Sequence, residues 1–407
     1  MALERCKGTR DLAPAEMAKF RRIEDIFRET ARKWGYREVR TPTLEYLHLF
    51  TSVGTLTPGM LRKVYSFLDW DGWSGERVVL RPDGTIPVVR FFIANPAERA
   101  KLCYVTNIFR FDESGNKARE RWQCGVELFG AGSRVADAEL VALALAVLEK
   151  LGLECVTLKL SHAGLIRELL AGFKLSREDE TGIFEQVMDE DEAALAKLTR
   201  EQPELGRALG SLLALKGKSA GFLKNFRSLF GRDYPELEAP LGDFINTVSL
   251  LEDLGYTCEI DIASGRGFEY YSGVMFQFLA GDTRLGGGGR YDNLVSLVGG
   301  PKLPASGLAL YIDALMEQLG PESEAEEKAV LLKVAPERLA EGFSTIRHLQ
   351  AAGYTAEIDC GGKAVSRKGW MLEMKNTDPN FVLSGGGLRG KLELPTLDDV
   401  LKKLGKI

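Results

Sequence analysis

One stretch of the sequence, RERWQCGVELFG, carries side chains that can bind a polar ligand. Alternation along a strand places five residues on one face, namely Arg119, Arg121, Gln123, Gly125 and Glu127. Two cations, an amide and a carboxylate form a charge-assisted cluster, and the glycine leaves room for a ligand on the sheet. Taken alone, an edge hairpin with a solvated polar face explains the same pattern.

The residues around this stretch predict a hairpin that positions the polar face. A first strand runs from Leu102 to about Phe111, DESGNKA supplies the turn, and a second strand runs from about Arg119 to Phe129. The opposite face of the second strand is apolar and suits a hydrophobic core. That face consists of Trp122, Cys124, Val126 and Leu128.

Two other stretches place polar or glycine residues in turns. In RPDGTIPVV a strand leads to Asp83 and Thr85 and then to a helix, so both side chains could cap that helix instead of binding a ligand. The run Gly286–Gly289 permits close backbone approach, although a hairpin bulge alone would explain it. The run fits neither a P-loop nor a dinucleotide fingerprint.

Hydrophobic periodicity predicts the elements that surround these stretches. Apolar residues from Met17 to Trp34 predict a helix, residues Lys174–Pro240 predict a helical insertion, and a further helix is expected to begin near Pro304. The acidic stretch after Pro321 is typical of a linker. The expected division is a domain over 1–320, a linker over 321–327 and a small α/β domain over 328–407.

Composition excludes several classes of protein. The 407 residues carry a net charge of −5, so no overall basic field favours nucleic acid. The six cysteines form no CxxC pair and have no histidine at metal spacing, so we expect buried thiols, no metal and no cofactor. The N-terminus has no signal-peptide pattern, and the longest apolar run, Leu140–Leu148, is far shorter than the about 20 residues of a membrane span. A cytoplasmic protein is expected.

Six segments, taken together, resemble a known family. GTRDLAP, WGYREVRTPTLEYLHLF, FRFDE with RERWQCGVELFG, GRGFEYYSG, LGGGGRYDNLV and PASGLALYIDAL occur in the order found in histidyl-tRNA synthetases. The same segments resemble a paralogous branch of that family, the regulatory subunits of short-form ATP phosphoribosyltransferases. The resemblance covers essentially the whole of the first domain. It implies an α+β fold with the antiparallel sheet of class II aminoacyl-tRNA synthetases, flanked by helices.

The resemblance also implies a histidine pocket on the polar face of the sheet. The family's motifs place the amino group of histidine against Asp83, Thr85, Gln123 and Glu127. They place its imidazole beside Tyr270 and Tyr271, and its carboxylate near Arg266. Arg110 and Arg119 align with the arginines that handle ATP phosphates in the synthetases, and the segment WGYREVRTPTLEYLHLF aligns with a dimer interface.

Several departures from the synthetase pattern favour the regulatory branch. The Glu-Arg pair that ends the third class II motif is replaced by Asp313 and Ala314, and Asp83 ends an Arg-Pro-Asp triplet in place of Arg-Pro-Glu. The loop near Ser114 is short, and Trp122 stands where the synthetases usually have histidine. The sequence of the C-terminal domain also matches an anticodon-binding domain poorly.

We therefore expect a non-catalytic, histidine-sensing regulatory subunit that controls the first step of histidine biosynthesis. Its expected partners are a short-form ATP phosphoribosyltransferase catalytic subunit, L-histidine as effector and a second copy of itself within a hetero-oligomer, with neither tRNA nor membrane. An active histidyl-tRNA synthetase is the alternative, because Arg110 and Arg266 are retained. A synthetase-like paralogue that modifies a protein or binds RNA is a third possibility.

Overall fold

The chain forms two compact units, Met1–Gly320 and Pro321–Ile407. The structure is a computed structural model that describes residues 4–53, 61, 63–70, 75–111, 118–188, 192–265, 270–320, 329–360, 369–378 and 380–405. Arg266, the loop near Ser114 and the expected linker over 321–327 lie outside these described residues.

The first unit combines helices with strands throughout its length. Its helices are α1 (Pro14–Lys33), α2 (Leu47–Thr51), α3 (Thr85–Ala94), α4 (Arg134–Lys150), α5 (Ala163–Gly172), α6 (Arg177–Met188), α7 (Glu192–Glu201), α8 (Pro203–Leu213), α9 (Ala220–Phe230), α10 (Glu238–Asp253), α11 (Leu294–Leu297) and α12 (Ile312–Gln318). Its strands are β1 (Arg37–Glu38), β2 (Leu44–Tyr46), β3 (Ser66–Trp70), β4 (Gly75–Leu80), β5 (Ala100–Phe109), β6 (Glu120–Phe129), β7 (Thr157–His162), β8 (Lys216–Gly217), β9 (Glu259–Asp261), β10 (Val274–Ala280), β11 (Thr283–Arg290) and β12 (Ala305–Tyr311).

A nine-stranded sheet organises the first unit. Its strand order is β1-β5-β6-β12-β11-β10-β7-β9-β8. The pairs from β5 through β7 are all antiparallel, whereas β1–β5 and β7–β9 are parallel. A smaller antiparallel sheet has the order β2-β4-β3. This largely antiparallel sheet with flanking helices confirms the expected α+β architecture.

Apolar side chains from the sheet contribute to two separate cores. The larger core joins α1 and α4 to the sheet through completely buried residues such as Phe27, Leu140 and Cys124. The second core joins α3 to the sheet and includes Phe92 and Phe129, whose rings stack 4.2 Å apart. Full burial of each such side chain contributes about 1.5–3 kcal/mol. The sheet is therefore held from both faces, and a rigid surface is available for polar groups.

The prediction that a helix begins near Pro304 is wrong. Residues 305–311 form β12, which pairs with β6 and β11 in the middle of the sheet, and α12 begins only at Ile312. A strand buried on both faces has no polar alternation, so periodicity alone does not separate it from a buried helix. The run Gly286–Gly289 likewise lies within β11, a central strand, with a bulge beside it.

The predicted insertion is helical and packs on the main domain. Its apolar residues, among them Val187, Leu205, Leu212 and Leu223, are completely buried and join the larger core. The segment also supplies the short strand β8, which extends the nine-stranded sheet at β9.

The second unit is a small α/β structure. Its elements are β13 (Ala329–Val334), α13 (Leu339–Ala351), β14 (Thr355–Ile358), β15 (Trp370–Met374), β16 (Phe381–Gly385), β17 (Leu392–Leu394) and α14 (Leu397–Leu404). The strand order is β14-β13-β15-β16-β17, with β13 parallel to both of its neighbours. A separate core that includes Leu332, Leu349 and Leu383 holds this unit together.

The cysteines are unpaired and differ in exposure. All six cysteines are free thiols. Burial was expected for all of them, but Cys6, Cys155 and Cys360 are exposed. Within the parts of the chain that the structure describes, every helix is too short or too polar to cross a membrane.

Candidate ligand-binding site

The hairpin formed by β5 and β6 presents the predicted polar face. Cys124 and Val126 point into the larger core, so alternation directs Gln123 and Glu127 to the other side of the sheet. Both of these polar residues are buried, with Gln123 4% exposed and Glu127 completely covered. The solvated-hairpin alternative is therefore wrong for this pair.

The space over Gly125 is occupied by Tyr104 of the neighbouring strand. Tyr104 pairs directly with Gly125, and a Cβ added to this glycine would lie 2.5 Å from the phenol oxygen. The Tyr104 hydroxyl accepts a hydrogen bond from Gln123 Nε2 at 3.2 Å and donates one to Glu127 Oε1 at 3.3 Å. The glycine thus makes room for a tyrosine that orients the two polar side chains.

Glu127 lies in a shell of hydroxyl groups. Tyr291 donates a hydrogen bond to Glu127 Oε2, and the Thr85 and Tyr104 hydroxyls also bond to the carboxyl group. Burial raises the pKa of Glu127 to about 8, because the three hydroxyls offset only part of the desolvation and the nearby Asp83 charge opposes ionisation. Glu127 is therefore mostly protonated at neutral pH.

Asp83 caps a helix and also faces the site. Its Oδ1 accepts a hydrogen bond from the backbone N–H of Ile86 at 2.9 Å, so the predicted capping contact with α3 is present. The side chain is nonetheless buried, and it lines the same small cavity as Gln123. Burial raises the pKa of Asp83, although the Arg110 charge and the backbone donors oppose this shift. One carboxyl group thus fixes the helix start and faces the site.

Three tyrosines cover the polar face. The rings of Tyr270 and Tyr271 lie 5.0 Å apart, and Tyr291 meets Tyr270 edge-on at 5.7 Å. Beneath them is a cavity of about 30 Å³, lined by Asp83, Thr85, Gln123, Tyr270, Tyr271, Gly287, Tyr291, Gly307, Leu308, Ala309 and Tyr311. This volume holds about two water molecules. An amino acid would fit only if the tyrosines move outward.

A larger pocket of about 270 Å³ shares two of these tyrosines. Tyr270 and Tyr271 line both spaces, and the insertion contributes Thr181 and Phe184 from α6 to the larger one.

The two arginines expected at a phosphate site lie beside the hairpin end. Arg110 Nε donates a hydrogen bond to the backbone oxygen of Pro82 at 2.6 Å, next to Asp83. The Arg119 guanidinium lies 4.8 Å from the ring centroid of Phe111 and donates to the Tyr65 hydroxyl at 3.4 Å. Their backbones pair, since Arg110 N–H bonds to the Arg119 oxygen at 2.9 Å. The Arg110 charge therefore acts on Asp83, whereas Arg119 is held against Phe111 and Tyr65.

A second buried polar cluster lies on the opposite face of the sheet. Arg290 forms an ion pair with the completely buried Asp137 and another with Asp243 at 2.9 Å. His162 Nε2 lies 3.2 Å from Asp243 Oδ2. Burial alone would lower the pKa of Arg290, but the two carboxylates outweigh it and raise the pKa. The cluster is an internal ionic network that fixes the end of β11, directly before Tyr291.

Sequence reasoning missed three residues that surround Glu127. Tyr104 and Tyr291 contact Glu127. Gly307 lies opposite Glu127, and this position needs a glycine because a Cβ there would overlap the carboxyl group. Alternation along β5 could have identified Tyr104, because it puts this residue on the same face of the sheet as the polar residues of β6. Within the described residues, no group of three or more His, Cys, Asp or Glu side chains converges in a geometry that could hold a metal.

Comparison with known proteins places the chain in a family. A profile described as histidyl-tRNA synthetase matches residues 8–315. The chain is 49% identical over 380 residues to the ATP phosphoribosyltransferase regulatory subunit of Dehalococcoides mccartyi strain BAV1, with 92% of each protein covered. It is 34% identical over 382 residues to the histidine–tRNA ligase of Archaeoglobus fulgidus, covering 90% of this chain and 88% of the ligase.

Solved structures show the same fold. A Bacillus halodurans protein, described as an ATP phosphoribosyltransferase regulatory subunit/histidyl-tRNA synthetase, is 26% identical with a TM-score of 0.76, over 90% of this chain and 95% of that one. Histidyl-tRNA synthetase from Nostoc sp. PCC 7120 has a TM-score of 0.75 at 16% identity and covers 100% of this chain and 99% of its own. Because that match spans the second unit, the fold of this unit does not separate the two kinds of protein.

The fold and the polar face define a histidyl-tRNA synthetase-like protein of class II. Within that class, the near-complete 49% identity places the chain in one branch. The chain belongs to the family of ATP phosphoribosyltransferase regulatory subunits.

Proposed function

We propose that this protein senses free histidine at the Glu127 cavity and regulates an ATP phosphoribosyltransferase catalytic subunit in the cytoplasm, without catalysing a reaction itself. The observation that carries the proposal is the surroundings of Glu127. Hydroxyl groups contact this buried carboxyl group, and burial raises its pKa to about 8. A cationic α-ammonium bound there would supply the opposite charge that favours its ionised form.

The other predicted residues support the same ligand. Asp83, Thr85 and Gln123 line the cavity, Thr85 also bonds to the Glu127 carboxyl group, and all three offer acceptors to an α-ammonium group. Tyr270 and Tyr271 offer aromatic walls with polar ends, which suit an imidazole. Arg266 remains part of this proposal as a partner for the carboxylate of histidine.

The segment that corresponds to the third class II motif supports a non-catalytic role. Asp313 accepts a hydrogen bond from Trp122 N at 2.7 Å and pairs with Arg10, so it fastens the segment before α1 to β6 and α12. Ala314 packs against the larger core and brings no cation. Loss of a guanidinium that stabilises developing phosphate charge costs about 2.7–4 kcal/mol, by analogy with a lost oxyanion donor. Arg110 and Arg119 would then be remnants of a phosphate site.

An exposed apolar surface supports self-association. On the small β2-β4-β3 sheet, Leu44, Tyr46 and Phe67 are 45%, 49% and 44% exposed and lie on one face, because Tyr46 and Phe67 both pair with Val78. Large exposed apolar groups on one sheet are typical of protein interfaces. We propose this surface as the dimer interface, in agreement with the motif it belongs to.

Sedimentation analysis tests the dimer. Because a hot-spot tyrosine typically contributes about 2 kcal/mol or more to an interface, Tyr46→Ser should raise the dimer dissociation constant about 30-fold or more. Leu229→Ser is a matched control, since Leu229 is 76% exposed on α9, away from this sheet. A Tyr46→Ser variant that sediments as the wild type would remove this surface from the proposal.

An active histidyl-tRNA synthetase is the alternative. The 34% identity to the Archaeoglobus fulgidus ligase and the two arginines beside the hairpin end favour it. The two functions differ in one assay, histidine-dependent exchange of pyrophosphate into ATP. The regulatory proposal predicts no exchange at rates near typical turnover, about 1 s⁻¹ or more. Exchange at that rate by the purified chain would establish the synthetase instead.

A further inference from the structure

A β-bulge next to the cavity changes which face one arginine occupies. Phe278 pairs with Gly286, but the next residue, Leu279, pairs with Arg284, so Leu285 is an extra residue on β11. Leu285 is completely buried in the larger core on the helix side of the sheet. In a regular strand without a bulge, alternation from Gly286, which pairs with the core residue Phe278, would put Arg284 on that side as well. Bulges commonly redirect a side chain beside a functional site.

The redirected side chain lies at the cavity wall. The Arg284 guanidinium is 5.8 Å from the ring centroid of Tyr311, and a Cβ added to Gly287 would lie 2.8 Å from one of its terminal nitrogens. Both Tyr311 and Gly287 line the cavity. Arg284 also opposes the rise in the pKa of Tyr271 that burial causes. A positive charge therefore stands among three residues that form the cavity wall.

The space between the Arg284 guanidinium and the acceptors on β6 is long enough for one amino-acid molecule. Gln123 pairs with Tyr311 on β12, which in turn neighbours β11, so two strand spacings, about 10 Å, separate Gln123 from the strand of Arg284. Side chains reach into this gap from both sides. Acceptors for an α-ammonium thus lie on one side of β12, and a guanidinium for an α-carboxylate lies on the other.

We propose that Arg284 binds the carboxylate of the amino-acid effector, a role that rests on the proposed histidine site. An arginine presents two parallel N–H donors to a carboxylate and fixes its orientation. The bound amino acid would lie across β12, with its ammonium towards Gln123 and its carboxylate towards Arg284. Arg284 would then exclude ligands that carry an imidazole and an amine but no carboxylate.

The test compares histidine with histamine, which lacks only the carboxylate, by isothermal titration calorimetry. Arg284→Met should weaken histidine binding about tenfold or more, the usual effect of losing a hydrogen bond to a charged group, and leave histamine binding unchanged. Arg77→Met is the matched control, because Arg77 is an exposed arginine on the small sheet. Its titrations should equal those of the wild type.

The wild-type protein supplies a second measurement that does not depend on a variant. It should bind histidine about tenfold or more tightly than histamine. Equal affinities, or equal weakening of both ligands in Arg284→Met, would overturn the role of Arg284 while leaving the histidine site intact. A wild-type protein that binds neither compound would overturn the proposed function, and the assignment of Arg284 with it.

Discussion

Two buried carboxyl groups on opposite faces of the nine-stranded sheet have opposite surroundings. Glu127 and Asp137 are both completely buried. Asp137 pairs with the guanidinium of Arg290, which also bonds to Asp243. Glu127 is contacted instead by hydroxyl groups of tyrosine and threonine. Similar burial therefore accompanies an internal ion pair in one place and a neutral hydrogen-bonded shell in the other.

The difference separates a structural cluster from a ligand site. Burial raises the pKa of Asp137 to about 6 in spite of Arg290, so this group is mostly ionised and already paired at neutral pH. Burial raises the pKa of Glu127 to about 8, so this group is mostly protonated until a cation arrives. A protonated carboxyl group such as Glu127 can respond to a ligand, whereas an ionised and already paired one such as Asp137 can only hold the fold.

The largest effect is expected from breaking the internal ion pair. Arg290→Met leaves Asp137 buried without its guanidinium and should lower the free energy of unfolding by about 3–5 kcal/mol. Denaturation in urea without histidine measures this change. Glu127→Gln is the paired control, and it should not lower the unfolding free energy at neutral pH, because the wild type must protonate this carboxyl group on folding whereas the amide is neutral in both states. Equal destabilisation by the two substitutions would remove the distinction between the clusters.

The next effect concerns ligand binding. Histidine at a hundredfold excess over its dissociation constant should stabilise the wild type by about 2.7 kcal/mol. Glu127→Gln should lose this stabilisation, since a neutral amide gives no opposite charge to the ammonium. Thermal unfolding with and without histidine measures both values. An undiminished rise in the melting temperature of the variant would place the ligand elsewhere.

A smaller effect is expected from pH. An α-ammonium favours the ionised form of Glu127, so binding below pH 8 must release its proton. The affinity for histidine should rise with pH by up to about tenfold per unit between about pH 6 and pH 8, and then level off. Calorimetry in buffers of different ionisation enthalpy should detect close to one proton released per histidine at neutral pH. Proton uptake on binding would contradict the assignment.

The unliganded protein provides the control for this pH effect. Because the folded state holds the proton of Glu127 up to about pH 8, this group's contribution to stability is full below its unfolded pKa of about 4.3 and is lost as the pH rises through about 8. Glu127→Gln should flatten that part of the stability profile. If the stability of both proteins changed with pH by the same slope, another ionisable group would be responsible for that slope.

Patterns within a single strand were predictable from the sequence. Alternation along β6 correctly separated Gln123 and Glu127 from the core residues Cys124 and Val126. Helical periodicity likewise predicted α1 and the helical insertion, because each buries one apolar face. The strand β12 was missed because it is buried on both sides, where neither alternation nor helical spacing marks the element.

Features that depend on pairing between distant strands were not predictable. Tyr104 reaches Glu127 only because β5 pairs with β6, and Tyr291 does so only because β11 lies two strands from β6. The bulge that turns Arg284 towards the cavity is a property of the β10–β11 register. The Arg290 network joins residues that are far apart in sequence, and no spacing rule relates them.

Histidine inhibition of the assembled enzyme tests the central claim most directly. The measurement is the rate of phosphoribosyl transfer to ATP by the short catalytic subunit in complex with wild-type or Glu127→Gln regulatory chain, across a histidine titration. We expect both complexes to form and to have similar basal activity, with inhibition by histidine only in the wild type. A Glu127→Gln complex that is inhibited at the same histidine concentrations would contradict the account.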